Sequence, residues 1–217
     1  MDNRVQNIFD WADENNIPDL KWIEHDSYLN GGYFKGLPRD KDKLMNLTEL
    51  NFLGYQLREL PKEIGMLLKL TKLYLSGNKL TRLPLEIGSL VNLEELYVPG
   101  NHLEELPKEI AHLSNLKILI VQENRLRKIP KEIGNLLHLE TLELGGNQLI
   151  SLPKEIGKLI YLSKLTLWKN KLTKLPHEIE GLVNLKEFDC LYNTIELSKD
   201  NVLWLEKLMA KDCSLNL

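Results

Sequence analysis

The 217-residue chain is 43% hydrophobic and carries a formal net charge of −3, so it is long and apolar enough to bury the core of one domain. This composition excludes an intrinsically disordered chain, and the slight acidic excess argues against a nucleic-acid partner. No apolar run approaches the length of about 18 residues that a membrane-spanning helix requires, so no membrane partner is predicted.

The N-terminal segment predicts a helical cap. In residues 3–14, apolar residues recur at the helical spacing that covers one end of a core: Val5, Ile8, Phe9 and Ala12. Trp11 and Trp22 extend this cap, and a membrane anchor is the alternative role for the helix. The first residues lack the basic start and apolar stretch of a signal peptide, so a cytoplasmic location is expected. A trimmed leader or a leaderless secretion route stays open.

The central part of the chain repeats itself every 23 residues without a missed step. Each period carries a Leu-Pro or Ile-Pro dipeptide: Leu37-Pro38, Leu60-Pro61, Leu83-Pro84, Leu106-Pro107, Ile129-Pro130, Leu152-Pro153 and Leu175-Pro176. A fixed period of this size is typical of a solenoid, in which each unit buries its apolar face against its neighbours.

Each period also contains the pattern LxxLxLxxNxL, as in residues 70–80. Within it, Leu73 and Leu75 flank a variable residue, and this alternation predicts a short half-buried strand. The same pattern recurs in six further segments: 47–57 (with Tyr55 in place of Asn), 93–103, 116–126, 139–149, 162–172 and 185–195.

These motifs resemble leucine-rich repeats over at least residues 37–195. The 23-residue form with L-P-x-E-I-G-x-L is similar to the repeats of bacterial leucine-rich repeat proteins, of plant intracellular Ras-group-related repeat proteins and of animal Ras-pathway scaffolds. The resemblance implies an α/β solenoid: a right-handed arc with a concave parallel β-sheet, short helical or 3-10 turns on the convex side and helical caps at both ends. It also implies a protein-binding scaffold.

The predicted domain organisation is one structural domain in three parts. Residues 1–36 form the N-terminal cap with a degenerate first repeat, residues 37–195 hold seven repeats, and residues 196–217 form the C-terminal cap. In the degenerate repeat, residues 26–30 are a candidate strand. Its Leu29 and Phe34 keep the period, and Gly31-Gly32 replaces the Asn turn.

An asparagine follows each strand at the point where the chain turns inward. These side chains are predicted to bond the turn backbone of their own coil and the next as a structural ladder, rather than to bind a ligand: Asn78, Asn101, Asn124, Asn147, Asn170 and Asn193. On the convex side, Pro61 is expected at the first position of a helical turn. Glu63 then lies near the positive end of the turn dipole, on a solvated face of Lys and Glu.

The repeat changes at the C-terminus, where Ser198 predicts the N-cap of a helix that runs to about Met209. Its inward residues are predicted to be Val202, Leu205 and Met209. Residues 210–214 are predicted as the last edge strand, where Lys211 and Asp212 discourage edge pairing. A partner-binding motif is the alternative role for this helix.

Cys190 and Cys213 are separated by one period, which predicts neighbouring core positions on adjacent strands. A disulfide is geometrically possible there, and two buried thiols in a reducing compartment are the expected state.

Residues on the concave face are free to vary, because packing does not dictate them. Tyr74, Tyr97, Ile118 and Ile120 predict an apolar patch for a partner, since tyrosines are enriched at interface hot spots. Glu143, Glu187, Asp189 and Asp212 predict an acidic zone beside Trp168. The candidate partner-binding residues are therefore Tyr74, Tyr97, Ile118, Ile120, Gln122, Glu143, Trp168, Glu187 and Asp189.

No catalytic, cofactor or metal site is predicted. The chain lacks a GxxxxGK[ST] loop, HExxH and CxxC, and its histidines fall on different coils. Glu187, Asp189 and Asp212 could bind a hard cation, but solvated acids are the expected state.

The sequence therefore predicts a monomeric protein-protein interaction scaffold of bacterial type that binds a protein partner on its concave face. A secreted or translocated effector or adhesin that binds a host protein is the first alternative. A structural repeat unit of a signalling scaffold with no independent ligand is the second.

Overall fold

The computed structural model describes residues 3–23 and 33–217 of the protein. The chain begins with helix α1 (Asn3–Glu14), the antiparallel strands β1 (Lys21–Ile23) and β2 (Tyr33–Lys35), and the short helix α2 (Lys41–Met45). The predicted degenerate strand at 26–30, with Leu29 and the Gly31-Gly32 turn, lies outside the described residues.

In the described part of the chain, eight three-residue strands form one parallel sheet in sequence order. They are β3 (Glu49–Asn51), β4 (Lys72–Tyr74), β5 (Glu95–Tyr97), β6 (Ile118–Ile120), β7 (Thr141–Glu143), β8 (Lys164–Thr166), β9 (Glu187–Asp189) and β10 (Ser214–Asn216). From β3 to β9 each residue pairs with the residue 23 positions later. The period of the sequence is therefore the register of the sheet.

On the opposite side of the described coils lie six 3-10 turns: Lys62–Met66, Leu85–Ser89, Lys108–His112, Lys131–Asn135, Lys154–Lys158 and His177–Gly181. Pro61 precedes the first turn as its N-cap with extended backbone, one position before the first-turn site expected from the sequence. The proline can stand there because its carbonyl, not an N–H, closes the turn by accepting from Ile64. The sheet and these turns confirm the predicted repeat solenoid.

The core lies between the sheet and the 3-10 turns. In one coil, Leu73 and Leu75 from the strand side and Ile87 and Leu90 from the turn side have no measurable exposure. Three-residue strands cannot bury such a surface alone, so each coil depends on its neighbours.

The six asparagines of the turns connect the coils. The Asn124 amide donates to the carbonyls of Val98, Val121 and Gln122, and its Oδ1 accepts from the Leu103 N–H. Each asparagine thus bonds its own coil and the preceding coil, rather than the next coil as expected from the sequence. Asn78, Asn101, Asn124 and Asn147 are buried, whereas Asn170 and Asn193 are only partly buried.

Helix α1 covers the first coils, as the apolar spacing predicts. It buries five side chains: Val5, Ile8, Phe9, Trp11 and Ala12. The Trp11 ring packs edge-on against Phe52 at 5.5 Å between centroids, and Asn7 Nδ2 donates to Glu63 at 2.9 Å. Within the described residues, no helix is long and apolar enough to cross a membrane.

Helix α3 (Lys199–Met209) covers the other end, with Ser198 as its N-cap. Its buried face is Asn201, Trp204, Leu205 and Leu208. The predicted inward residues Val202 and Met209 are wrong, because they are 42% and 62% exposed. The buried set has the i, i+3, i+4, i+7 spacing of one helical face, and the face predicted from the sequence is rotated away from it.

The predicted edge strand at 210–214 is also wrong in register. Strand β10 pairs Ser214 with Glu187 and Leu215 with Phe188, so the last step is 27 residues instead of 23. The eleven residues of α3 replace a five-residue 3-10 turn and delay the strand. Asp212 consequently lies in an exposed turn with a positive φ of 60°, not on the sheet.

Candidate partner-binding surface

The first and third residues of each strand lie on the concave face, and the middle residue points into the core. The register aligns the third residues of β3 to β10 in one column: Asn51, Tyr74, Tyr97, Ile120, Glu143, Thr166, Asp189 and Asn216. The first residues form a second column: Glu49, Lys72, Glu95, Ile118, Thr141, Lys164, Glu187 and Ser214. Within these columns, the chemistry differs between the N-terminal and C-terminal halves of the sheet.

Four apolar side chains lie together on β4, β5 and β6, and we call Tyr74, Tyr97, Ile118 and Ile120 the apolar patch. The two tyrosine rings are stacked, with centroids 4.8 Å apart and an interplanar angle of 15°. Tyr97 is level with Ile120 on the next strand. All four side chains are half-buried, so the patch is neither covered nor fully solvated.

Polar contacts hold the patch at its N-terminal side. Tyr97 donates its hydroxyl to Glu95 at 2.9 Å, and Lys72 bridges to the same carboxylate at 2.8 Å. Burial, followed by the hydrogen bond to Glu95, raises the pKa of Tyr97 far above its ordinary range. The phenol is therefore neutral, and the ring is held by its own chain before any partner arrives.

The acidic zone predicted for the C-terminal half is partly neutralised by one lysine. Lys164 lies 3.0 Å from Glu143 and 3.3 Å from Glu187, and Gln122 donates to Glu143. We call these four residues the ion-pair cluster. Burial is the largest single influence on the pKa of Lys164 and lowers it, but the hydrogen bonds and charges of Glu143 and Glu187 together outweigh burial, so the net shift is upward. Asp212 does not contribute, because it lies off the sheet.

Two further predicted residues are engaged within the chain. Asp189 accepts from the backbone N–H of Leu191 at 3.0 Å. Trp168 packs on Gly145 and Gly146, since a Cβ added to Gly146 would lie 3.2 Å from the indole ring. The two glycines make room for the indole, and Trp168 remains half-buried on the surface.

Sequence reasoning missed the role of Lys164. The signal was present, because Lys164 stands one strand after Glu143 and level with Glu187 in the 23-residue register. Comparison of charges between neighbouring columns, rather than along one column, would have found the pairing.

Both cysteines are buried free thiols. Burial raises the pKa of Cys190 to about 11. Cys213 precedes β10 instead of lying level with Cys190, so the predicted equivalence of the two positions is wrong.

Comparison with known proteins agrees with the geometry. A leucine-rich repeat region model matches residues 62–147, and a leucine-rich repeat model matches residues 138–159. The chain belongs to the leucine-rich repeat proteins. A search of curated proteins found no significant match to this leucine-rich repeat protein.

Several solved structures share its fold. The Leptospira interrogans leucine-rich repeat protein LIC12759 is 36% identical, with a TM-score of 0.62 over 81% of this chain and 50% of the other. The plant peptide hormone receptor RGFR1, in complex with RGF2, is 35% identical, with a TM-score of 0.62 over 71% and 26%. A Listeria monocytogenes internalin is 24% identical, with a TM-score of 0.66 over 82% and 51%, and shows the fold alone.

This leucine-rich repeat protein spans about half the length of the Leptospira and Listeria chains and about a quarter of the receptor. Leucine-rich repeat proteins, including receptors, generally mediate protein–protein interactions, and they are typically non-enzymatic binding scaffolds.

Proposed function

We propose that the protein binds a protein partner on its concave face and that the apolar patch is the anchor of the interface. The observation that carries the proposal is the contiguity of Tyr74, Tyr97, Ile118 and Ile120 over three adjacent strands. A half-buried patch of this kind gains free energy when a partner removes its remaining surface from water.

The ion-pair cluster supports an anchor in the N-terminal half. A basic partner would have to compete with Lys164 for Glu143 and Glu187, which costs part of the attraction it gains. The side chains of the apolar patch require no such exchange. Affinity therefore comes mainly from the patch, and the charges contribute to selection between partners.

The similar structures are compatible with a polypeptide ligand. The RGFR1 receptor is in complex with RGF2, and its repeats are 35% identical to this chain. We extend to this protein only the class of ligand, a polypeptide bound by the repeats, and assign the anchor from the chain's own residues.

The test is a double substitution, Tyr97→Ala with Ile120→Glu. We expect partner capture from an extract of the source cells to weaken at least about tenfold, because the change removes a hot-spot aromatic and buries a charge in the interface. The thermal melt followed by circular dichroism stays near wild type, since both side chains lie on the surface of the sheet.

The matched control is Tyr161→Ala with Ile160→Glu, which makes the same chemical changes outside the concave face. Tyr161 is 57% exposed and Ile160 is 48% exposed. This control keeps wild-type capture. If the control loses the partner and the concave variant keeps it, the concave face is not the binding surface. If both keep it, the structural-unit alternative is favoured.

We also propose that binding takes place in the cytoplasm, with the two buried free thiols as support, since free cysteines are typical of reducing compartments. Fractionation of the source cells, with the secreted fraction included, tests this. Recovery of the chain mainly outside the cell would favour the effector or adhesin alternative.

A further inference from the structure

The last convex turn, His177–Gly181, departs from the repeat at two positions. It begins with His177 and has Glu180 at its fourth position. Four of the five earlier turns begin with lysine; the five first residues are Lys62, Leu85, Lys108, Lys131 and Lys154. The fourth residue of the earlier turns is glycine or alanine: Gly65, Gly88, Ala111, Gly134 and Gly157. Both departures therefore fall in one turn of five residues.

Packing explains why glycine is dispensable at position 180. A Cβ at Gly65 would lie 2.6 Å from the Glu86 carbonyl oxygen, because the next 3-10 turn is stacked closely on it. On the convex side, this turn is followed by helix α3 instead of another 3-10 turn, so this close stacking ends. The change of neighbour permits a side chain at position 180, but it does not require a carboxylate there.

The two departures converge with an acid from α3. His177 Nδ1 lies 3.1 Å from Glu180 Oε1 and 3.7 Å from Asp200 Oδ2, and the three atoms all lie within 4.8 Å of one another. Asp200 is in the first turn of α3, where an acid also favours the helix dipole. The dipole accounts for Asp200 alone and leaves the histidine and Glu180 unexplained.

Glu180 Oε1 supplies an independent observation. This oxygen atom is buried although the Glu180 side chain is 32% exposed, and it accepts no hydrogen bond of good geometry from the residues that the structure describes. His177 Nδ1 is close enough, but it does not form a hydrogen bond of acceptable geometry with it. A buried carboxylate oxygen without a donor is costly, and a cation beside it removes that cost.

We propose that His177, Glu180 and Asp200 bind a divalent transition cation of the zinc class. One imidazole nitrogen and two carboxylate oxygens suit such an ion, whereas calcium and magnesium prefer all-oxygen sites with more ligands. Ligands about 2.1 Å from a tetrahedral zinc ion lie about 3.4 Å apart, which falls between the two distances from Nδ1. Asp200 Oδ2, 3.7 Å from His177 Nδ1, can move closer by rotation of its exposed side chain, and water would supply the remaining ligands.

The bound ion would tie the last repeat to the C-terminal cap. His177 and Glu180 lie on the 3-10 turn and Asp200 lies on α3, so coordination joins two elements that otherwise pack through Trp204 and its neighbours. The cap is then more stable with the metal than without it, because a ligand that binds only the folded state stabilises that state.

The experiment is a calorimetric titration of the untagged chain with Zn²⁺. We expect one equivalent per chain. Two variants restore the residues of the other turns, Glu180→Gly and His177→Lys, and each binds Zn²⁺ at least about tenfold more weakly. The matched control, His112→Lys, removes an exposed histidine from another convex turn and binds as wild type does.

A second measurement separates the site from an ordinary ion pair. Zn²⁺ raises the melting temperature of the wild type and of His112→Lys, and leaves that of Glu180→Gly unchanged. In a chelator all variants retain the circular dichroism spectrum of the fold. The proposal is overturned if wild type binds no Zn²⁺, if Glu180→Gly binds it equally well, or if Mg²⁺ produces the same shift at the same concentration.

Discussion

The two halves of the concave face share one backbone and differ in how their side chains are satisfied. On β4 to β6, the apolar patch presents carbon atoms that have only their own neighbours for contact. On β7 to β9, Lys164 lies between Glu143 and Glu187 and pairs with both, and Asp189 accepts a hydrogen bond from the Leu191 backbone. The same register therefore carries one surface that gains from being covered and another that must exchange contacts.

The number of charges on a surface therefore does not indicate how much free energy it gains when a partner covers it. Glu143 is only 13% exposed as a side chain and has both a lysine and an amide as partners. An interface that covered it would replace interactions rather than add them. Variants at Tyr97 and at Lys164 test the halves separately, because the register places these residues three strands apart.

Replacement of a buried turn asparagine should lower the free energy of unfolding more than any other change proposed here, and it tests whether both halves depend on the same asparagine ladder. Asn124→Ala removes four hydrogen bonds beneath the apolar half, three of them buried, and we expect a loss of about 1–3 kcal/mol in the free energy of unfolding. Asn170→Ala, at a partly buried position under the C-terminal half, costs less. Chemical denaturation measures both.

The control for this prediction is Asn115→Ala on the convex side. Asn115 makes one exposed bond, to the Val91 carbonyl at 2.8 Å, so its replacement changes stability by no more than about 0.5 kcal/mol. Equal losses for Asn124 and Asn115 would contradict the weight given to burial.

The ion-pair cluster provides the next effect in size. Lys164→Met keeps the apolar stem but leaves Glu143 and Glu187 without their shared cation, and we expect a loss of about 1–2 kcal/mol. Lys117→Met breaks the exposed pair with Glu94, 2.7 Å apart, and changes the stability much less, because both charges are in water. Added salt restores part of the first loss; no dependence on salt would show that repulsion between the acids is not its cause.

The smallest effect concerns the tyrosine that anchors the apolar half. The pKa of Tyr97 is raised in the folded state, so its contribution to stability is complete below the unfolded value of about 10 and is lost as the pH rises further. Spectroscopic titration of the phenols should show a late component that Tyr97→Phe removes. Tyr192→Phe, at a site 79% exposed, leaves that component unchanged.

The sequence predicts the repeated part of this fold well, because one period dictates the register of every strand from β3 to β9. Leu73 and Leu96 occupy equivalent positions and are therefore both buried, so each coil supports the assignment made for the others. The apolar column of α1 is equally clear, since its five inward residues are spaced for one helical face.

Prediction fails where the period ends. By the 23-residue period Asn216 corresponds to Asn193, yet it pairs with Asp189 because α3 uses more residues than a 3-10 turn. Cys213 and Asp212 were misplaced by the same four residues. A rule built on repetition carries no information about the length of the element that interrupts it.

The candidate site was predicted in position but not in state. Tyr97 and Ile120 lie in the expected columns, and their role in binding stays a prediction. The pairing of Lys164 with Glu143 depends on side-chain reach between coils, and the approach of Asp200 to His177 depends on how α3 packs on the last turn. Neither quantity is written in the spacing of one strand.

The asparagine contacts also bear on the order in which the coils can fold. Asn101 Nδ2 donates a hydrogen bond to the Leu75 carbonyl of the coil before it, and Asn101 Oδ1 accepts one from the Leu80 N–H of that coil. Since the chain is synthesised from the N-terminus, every new coil finds its carbonyl acceptors already in place. Each new coil also accepts hydrogen bonds from N–H groups of the previous coil, such as those of Leu75, Gly77 and Leu80. The coils from β3 to β9 can therefore order one after another against the coil before them during synthesis.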